Sequence, residues 1–89
     1  MARLLLKADE VVVPTSAGAG VSFTEATVVR LVNTNAAARV ITVQETQGGT
    51  GIGSFTMPSG TTELLEKVAS HTVFASGAGV LGAKVGFTG

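Results

Sequence analysis

The chain has 89 residues, with six basic and six acidic side chains, one histidine and no cysteine. This length predicts a single domain spanning residues 1–89, and the lack of cysteine excludes disulfides and thiolate metal sites. The charges are balanced and scattered, and Trp and Tyr are absent, so neither the basic patch nor the aromatic surface of a nucleic-acid-binding protein is present. Lys7, Asp9 and Glu10 interrupt the first apolar run, so neither a signal peptide nor a membrane partner is expected.

The apolar content is high for a chain of this size. Hydrophobic residues make up 45% of the sequence and charged residues only 13%, against about 25% charged in a typical domain. A small core cannot bury all of these side chains, although many are Ala and Val that could be scattered harmlessly over the surface. We expect the remainder to form an interface with other copies or other proteins.

Short segments with strand character follow one another along the chain, bounded by Gly, Pro, Asn and Ser. They cover residues 3–7, 10–13, 26–32, 39–45, 52–57, 71–75 and 83–88. The segments 26–32 and 39–45 flank the sequence NTNAAA and predict a hairpin with a longer loop. Strands at this spacing predict an all-β fold, a small antiparallel β-sandwich.

The segment 61–69 fits two structures. In a helix, Leu64, Leu65 and Val68 would share one face and Glu63 would pair with Lys67. We favour a strand, because nine residues between PSG and SHT make a short helix in a chain of strands.

The C-terminal glycines match the G-x-G-x-x-G spacing of a dinucleotide-binding loop at Gly77, Gly79 and Gly82. That loop needs a helix beginning at its last glycine and an acidic residue about 20 residues later. Only seven residues follow Gly82, and no acidic residue follows Glu66. We therefore expect turns and close packing at these glycines, and no cofactor.

Residues suited to catalysis or metal binding are few. His71 is the only histidine and Asp9 the only aspartate, and no serine lies in a G-x-S-x-G elbow. On a strand, Glu63 and Glu66 face opposite sides and cannot act as an acid–base pair. With Lys67 they are expected to form a solvated edge that discourages strand addition. The sequence predicts no enzyme and no catalytic or metal-ligating residue.

Three consecutive leucines mark the N-terminal segment, where residues 1–8 are expected to form an extended arm. Leu4, Leu5 and Leu6 cannot all face one side of an extended strand. At least one must point away from its own core, so all three are candidate interface residues in a homo-oligomer.

A resemblance sharpens these expectations. The segments ATVVRLVNTNAAARVITVQE and IGSFTMPSGTTELLEKVASHTVFASGAGVLGAKVGFT contain the predicted hairpin with its Asn-Thr and alanine-rich loop, a Pro-x-Gly-x-Thr turn and a Leu-Glu-Lys strand. A closing apolar strand follows a stretch rich in alanine and glycine. This pattern, over residues 26–88, resembles small β-rich virion proteins of marine tailed phages, including cyanophages. The resemblance implies an immunoglobulin-like sandwich that serves as a structural part of the particle, and it transfers no active site.

The function that the resemblance and the composition favour is capsid decoration. A cement protein, expected as a trimer, would be made in the host cytoplasm and would join major capsid subunits on the virion surface. An alternative is a ring or adaptor subunit of the head–tail connector or tail, with connector or tail proteins as partners. A carbohydrate-binding module for host attachment ranks lower, because such sites usually use Trp or Tyr platforms.

Overall fold

The computed structural model describes residues 3–88 as an all-β protein. Within that range the only helical element is a single 3-10 turn, Ala17–Ala19. The strands are β1 (Arg3–Leu6), β2 (Val11–Val12), β3 (Val28–Asn33), β4 (Arg39–Gln44), β5 (Gly51–Met57), β6 (Thr62–Glu66), β7 (Thr72–Ala75) and β8 (Val80–Thr88). The predicted all-β fold is therefore confirmed, whereas its immunoglobulin-like character stays a prediction.

The strands form two antiparallel sheets. The five-stranded sheet has the order β1-β8-β3-β6, and β2 also pairs with β8. The nine-residue β8 is central: its residues 85–88 pair with β1, residues 81–82 with β2, and residues 80–84 with β3 on the other side. The three-stranded sheet has the order β5-β4-β7.

The core lies between the two sheets. In β3, Val29, Leu31 and Asn33 are buried while the alternate residues are partly exposed, the period-2 pattern of a strand with one face against a core. Ile41 of β4 and Val73 of β7 come from the other sheet and belong to the same buried cluster. Burial of these side chains holds the two sheets together.

The predicted hairpin of residues 26–32 and 39–45 is wrong. Strand β3 pairs with β6 and β8, and β4 pairs with β5 and β7. The chain therefore crosses from one sheet to the other between β3 and β4. Both segments do form strands, but their alternation could not show which neighbours they pair with.

The buried side chain of Asn33 fixes this crossing. Its Nδ2 donates to the carbonyl oxygens of Ala37 at 3.0 Å and Met57 at 2.9 Å, and its Oδ1 accepts from the amide of Asn35 at 2.9 Å. Its backbone amide donates to Thr61 and its carbonyl accepts from Gly60, both at 2.9 Å. One side chain thus joins the end of β3 to the following loop and to the end of β5.

Two further segments bear on the predictions made from the sequence. The segment 61–69 contains strand β6, as favoured, and Glu63 and Glu66 pair with Leu31 and Val28, which places them on opposite faces. Of the segment expected as an N-terminal arm, residues 3–6 form β1 against β8, while residues 1–2, like Gly89, lie outside the described residues.

The glycines of the G-x-G-x-x-G spacing serve a turn and a packing contact. Gly79 has a φ of +102° between β7 and β8, a conformation that favours glycine. Gly82 is buried inside β8, where an added Cβ would lie 2.6 Å from the ring of Phe23. These two glycines confirm the expectation of turns and close packing. The chain continues as strand β8 after Gly82, where a dinucleotide-binding loop would begin a helix.

The segment that carries Phe23 has an unusual backbone. Phe23, Thr24 and Glu25 have φ values of 58°, 57° and 54°, which form a left-handed turn. The amide of Ala26 donates to the carbonyl oxygen of Ser22 at 3.1 Å across this turn. Left-handed conformations cost L-residues about 1–2 kcal/mol each, so packing of the buried Phe23 ring against Gly82 helps to offset a strained backbone.

Gly82→Ala is expected to lower the free energy of unfolding by about 1–3 kcal/mol, because the new methyl group would displace the Phe23 ring. Gly53→Ala in β5 is the matched control, since an added Cβ there meets nothing within 4 Å; it should change stability by less than about 0.5 kcal/mol. Urea unfolding measures both, and equal effects would contradict the packing role of Gly82.

Asn33→Ala is expected to cost about 2–4 kcal/mol, because it leaves the carbonyl oxygen of Met57 buried without its donor and opens a cavity. Asn35→Ala is the control, because it removes a single exposed hydrogen bond to the amide of Ala37 and should cost less than about 1 kcal/mol. Thermal or urea unfolding gives both values. A loss at Asn33 no larger than that at Asn35 would show that the crossing does not depend on this side chain.

Candidate interaction surface

The five-stranded sheet has an apolar side that faces away from the three-stranded sheet. Core residues Val29 and Leu31 pair with Lys84 and Gly82, so the alternate residues of β8 and of its neighbours point outward. We call this side the outer face. Its exposed apolar side chains come from four strands and are Leu4, Leu6, Val12, Leu64 and Phe87.

The strand register brings these side chains together. Leu4 lies directly opposite Phe87, and Leu6 lies opposite Val85. Leu6 is 64% exposed, Leu4 48% and Phe87 49%, whereas Val85 beneath them is only 3% exposed. The large side chains of β1 and β8 therefore shield Val85 from solvent and are themselves open to contact.

An ion pair lies on the same face. A guanidinium nitrogen of Arg30 is 3.6 Å from a carboxylate oxygen of Glu10. Both side chains are more than one-third exposed, so the pair contributes little to stability. It leaves the outer face without net charge at its centre.

The leucines singled out from the sequence lie on both sides of β1. Leu4 and Leu6 belong to the outer face, whereas Leu5 is paired with Gly86 and points to the opposite side, where it is 45% exposed. The prediction that they cannot share one side is confirmed. Sequence reasoning missed Val12, Leu64 and Phe87 as members of the same surface, because only strand pairing brings them together.

An apolar cleft of about 360 Å³ lies between β5 and β6, where the two sheets part. Val43, Phe55, Leu65, Val68 and His71 are among its lining residues. The cleft is therefore bounded by core side chains and by the single histidine.

The polar groups that line the cleft are not linked to one another in residues 3–88. Ser54 and Glu66 also line it, but the register turns the Glu66 side chain to the outer face. Within residues 3–88, no hydrogen bond joins Ser54, Glu66 and His71, and no cluster of three or more potential metal ligands is found.

Lys67 differs from its expected role at a solvated edge with Glu63 and Glu66. It is only 8% exposed, and its Nζ donates to the carbonyl oxygens of Ala26 at 2.7 Å, Ala69 at 3.1 Å and Val68 at 3.4 Å. Desolvation by burial lowers the pKa of Lys67 from its usual 10.5, and the negative charge of Glu25 opposes this shift. The expectation was wrong because three carbonyl groups in the neighbouring turns draw the ammonium group inward.

No protein-family model, no curated protein and no solved structure matches this chain. In residues 3–88 no helix has the length and apolar character needed to cross a membrane. The function must therefore be argued from the surface of the molecule itself.

The buried ammonium group makes stability depend on pH in a defined direction. Because the pKa of Lys67 is lower in the folded chain than in the unfolded one, the unfolded chain binds more protons between the two values. The unfavourable contribution of Lys67 is complete below its folded pKa and disappears as pH rises toward the usual pKa of 10.5 in the unfolded chain.

We expect the free energy of unfolding of the native protein, minus that of Lys67→Met, to increase as the pH is raised toward 10. The subtraction removes the contributions of other titrating groups. Urea unfolding at intervals from neutral to alkaline pH measures this difference. A difference that stays constant or falls would contradict the lowered pKa.

Proposed function

We propose that this protein is a cement protein that decorates a phage head and joins major capsid subunits, working as a trimer. The observation that carries the proposal is the outer face, an apolar surface formed by one side of the five-stranded sheet and bordered by two open strand edges. A decoration protein needs one surface for the shell and another for its own copies. The outer face is suited to the first contact and the strand edges to the second.

The energetics suit a contact that is repeated many times. Burying one exposed Leu or Phe side chain fully is worth about 1.5–3 kcal/mol, and association costs offset much of the sum over one subunit. A single subunit would therefore hold the shell modestly. Linked copies in a symmetric oligomer engage several shell sites at once, which raises the overall affinity without any new type of contact.

The chemistry of the surface also suits a structural role. The central ion pair of Arg30 and Glu10 is internally neutral. The exposed apolar side chains of this face are aliphatic apart from Phe87, and Glu66 lies at its β6 edge. Such a face selects a partner by shape and apolar area. It does not select a charged small molecule.

A ring or adaptor subunit of the connector or tail is the second candidate. The observation that favours it is the presence of open edges on both sides of the five-stranded sheet, β1 on one side and β6 on the other. A ring of subunits uses two such different surfaces in a head-to-tail contact.

The copy number in purified particles separates the two functions. A cement protein repeats with the shell lattice, so its molar ratio to the major capsid protein should be of order one. Heads without tails should retain it. Finding the protein only in tailed particles, at a small fraction of the shell protein, would overturn the cement function in favour of the ring subunit.

Phe87→Ser combined with Val12→Ser is expected to weaken binding to emptied heads by about tenfold or more, because both substitutions remove apolar area from the outer face. Val40→Ser is the control, since Val40 is 38% exposed on the three-stranded sheet and should leave binding unchanged. Co-sedimentation of each variant with heads stripped of the native protein measures the effect. Equal binding by the double variant and the native protein would contradict the assignment of this face.

A further inference from the structure

The two open edges of the five-stranded sheet carry opposite charges. Strand β1 lies at one edge and β6 at the other. The first edge has the sequence RLLLK, residues 3–7, and the second has TELLE, residues 62–66. Each edge thus presents leucines flanked by charges of one sign.

We propose that the β1 edge of one copy pairs with the β6 edge of a second copy, so that the five-stranded sheet continues from subunit to subunit. This inference rests on the self-association included in the proposed function and names the surface that produces it. The occupant of each edge is a second copy of this chain. Charge complementarity and backbone geometry carry the argument.

The backbone groups that point outward from β1 are those of Leu4 and Leu6. The amide of Lys7 donates to the carbonyl oxygen of Lys84 at 2.9 Å, so the odd-numbered residues of this antiparallel strand bond to β8. The even-numbered residues therefore direct their amide and carbonyl groups to the free edge.

The same reasoning applies to β6. The amide of Lys67 donates to Thr27 at 2.8 Å, and the amide of Asn33 donates to the carbonyl oxygen of Thr61 at 2.9 Å. The odd-numbered residues thus bond to β3. Leu64 and Glu66 present unused backbone groups at the opposite edge of the sheet.

One antiparallel register matches both edges. It places Leu6 opposite Leu64 and Leu4 opposite Glu66, so that each pair can exchange two backbone hydrogen bonds. Leu5 then falls opposite Leu65, and Lys7 falls opposite Glu63 as an ion pair. The outer faces of the two copies also merge, because Leu6 and Leu64 are on the same side of their respective sheets.

The opposite end of this register is also free of a clash of exposed charges. Arg3 falls opposite Lys67, but the ammonium group of Lys67 is drawn into hydrogen bonds with its own chain. The negative charge of Glu25 also acts on Lys67, which partly balances the positive charge that Arg3 of the neighbouring copy would meet.

Pairing of like edges is disfavoured. Two β1 strands paired antiparallel about Leu5 would place Arg3 opposite Lys7 twice, and like charges directly opposite each other are destabilising. Two β6 strands paired antiparallel about Leu64 would place Glu63 opposite Leu65 and Glu66 opposite Thr62, so no ion pair would form across that contact. The charges therefore favour the head-to-tail contact, which closes into a ring or continues as a filament.

Exchange of charges across the contact tests the proposal. Lys7→Glu and Glu63→Lys should each weaken self-association about tenfold, and the variant with both changes should recover most of the loss, since the ion pair is restored with reversed polarity. Glu45→Lys makes the same charge change at an exposed position away from both edges and should have no effect. Sedimentation equilibrium over a range of protein concentrations gives the association constants, and circular dichroism confirms that each variant is folded.

A second comparison isolates the backbone contact. Leu64→Pro removes an amide that points to the free edge, whereas Leu64→Ser removes a similar apolar contact but keeps that amide. Self-association should be weaker for Leu64→Pro than for Leu64→Ser. Equal association of these two variants, or failure of the combined Lys7→Glu and Glu63→Lys variant to recover, would overturn the edge pairing.

The outcome is distinguishable from that of the proposed function. Charge-dependent association with a low copy number in particles would keep the edge contact and overturn the cement function. A copy number equal to that of the shell protein, with association insensitive to both edges, would keep the cement function and overturn the contact.

Discussion

The fold depends on the hydrogen bonds of one buried side chain, Asn33. In a sandwich, the chain must pass from one sheet to the other without leaving buried backbone amide and carbonyl groups that lack hydrogen-bond partners. Asn33 satisfies the carbonyl oxygens of Ala37 and Met57 and the amide of Asn35 at the place where β3 ends. An apolar residue of similar size would fill the space but leave these groups without partners, and a charged one could not be desolvated there at a low cost.

The crossing at Asn33 determines which edges remain open. Because β3 is followed by a strand of the other sheet, its neighbours are β6 and β8, which follow it at a greater distance along the chain. The edge of β7 is covered in part, since Val21 bridges to Val73 and the amide of Ala75 donates to the carbonyl oxygen of Pro14. Strands β1 and β6 have no such cover on their outer sides within the described residues, and the sheet therefore ends on two unpaired strands.

The sequence predicts the strands well and their pairing poorly. Alternation and turn residues identify each strand within a few residues, and the choice of strand for 61–69 is correct because strand neighbours outweigh a weak helical pattern. The pairing of β3 was predicted wrongly, since a hairpin and a crossing use similar loop residues and differ only in what Asn33 contacts.

Leu4, Leu5 and Leu6 could be recognised from three consecutive leucines, whereas Phe87 and Leu64 join the outer face through long-range register. The buried position of Lys67 was equally hidden, because it depends on carbonyl groups contributed by Ala26 and by the following turn.

The charges on the two edges give one physical account of how an apolar protein can assemble without aggregating. An open strand rich in leucine invites any other strand to pair with it, and natural sheets resist this with charged edge residues. Arg3 and Lys7 repel a second β1 strand, because they fall opposite each other when two such strands pair antiparallel. Lys7 and Glu63 carry opposite charges, so the charges that hinder random pairing are compatible with the proposed contact. Because the proposed contact joins two different surfaces, its geometry would decide between a closed ring and an open chain. The left-handed turn at Phe23 and the crossing at Asn33 help to hold the five-stranded sheet together, so the buried core positions the two edges on which the proposed contact depends.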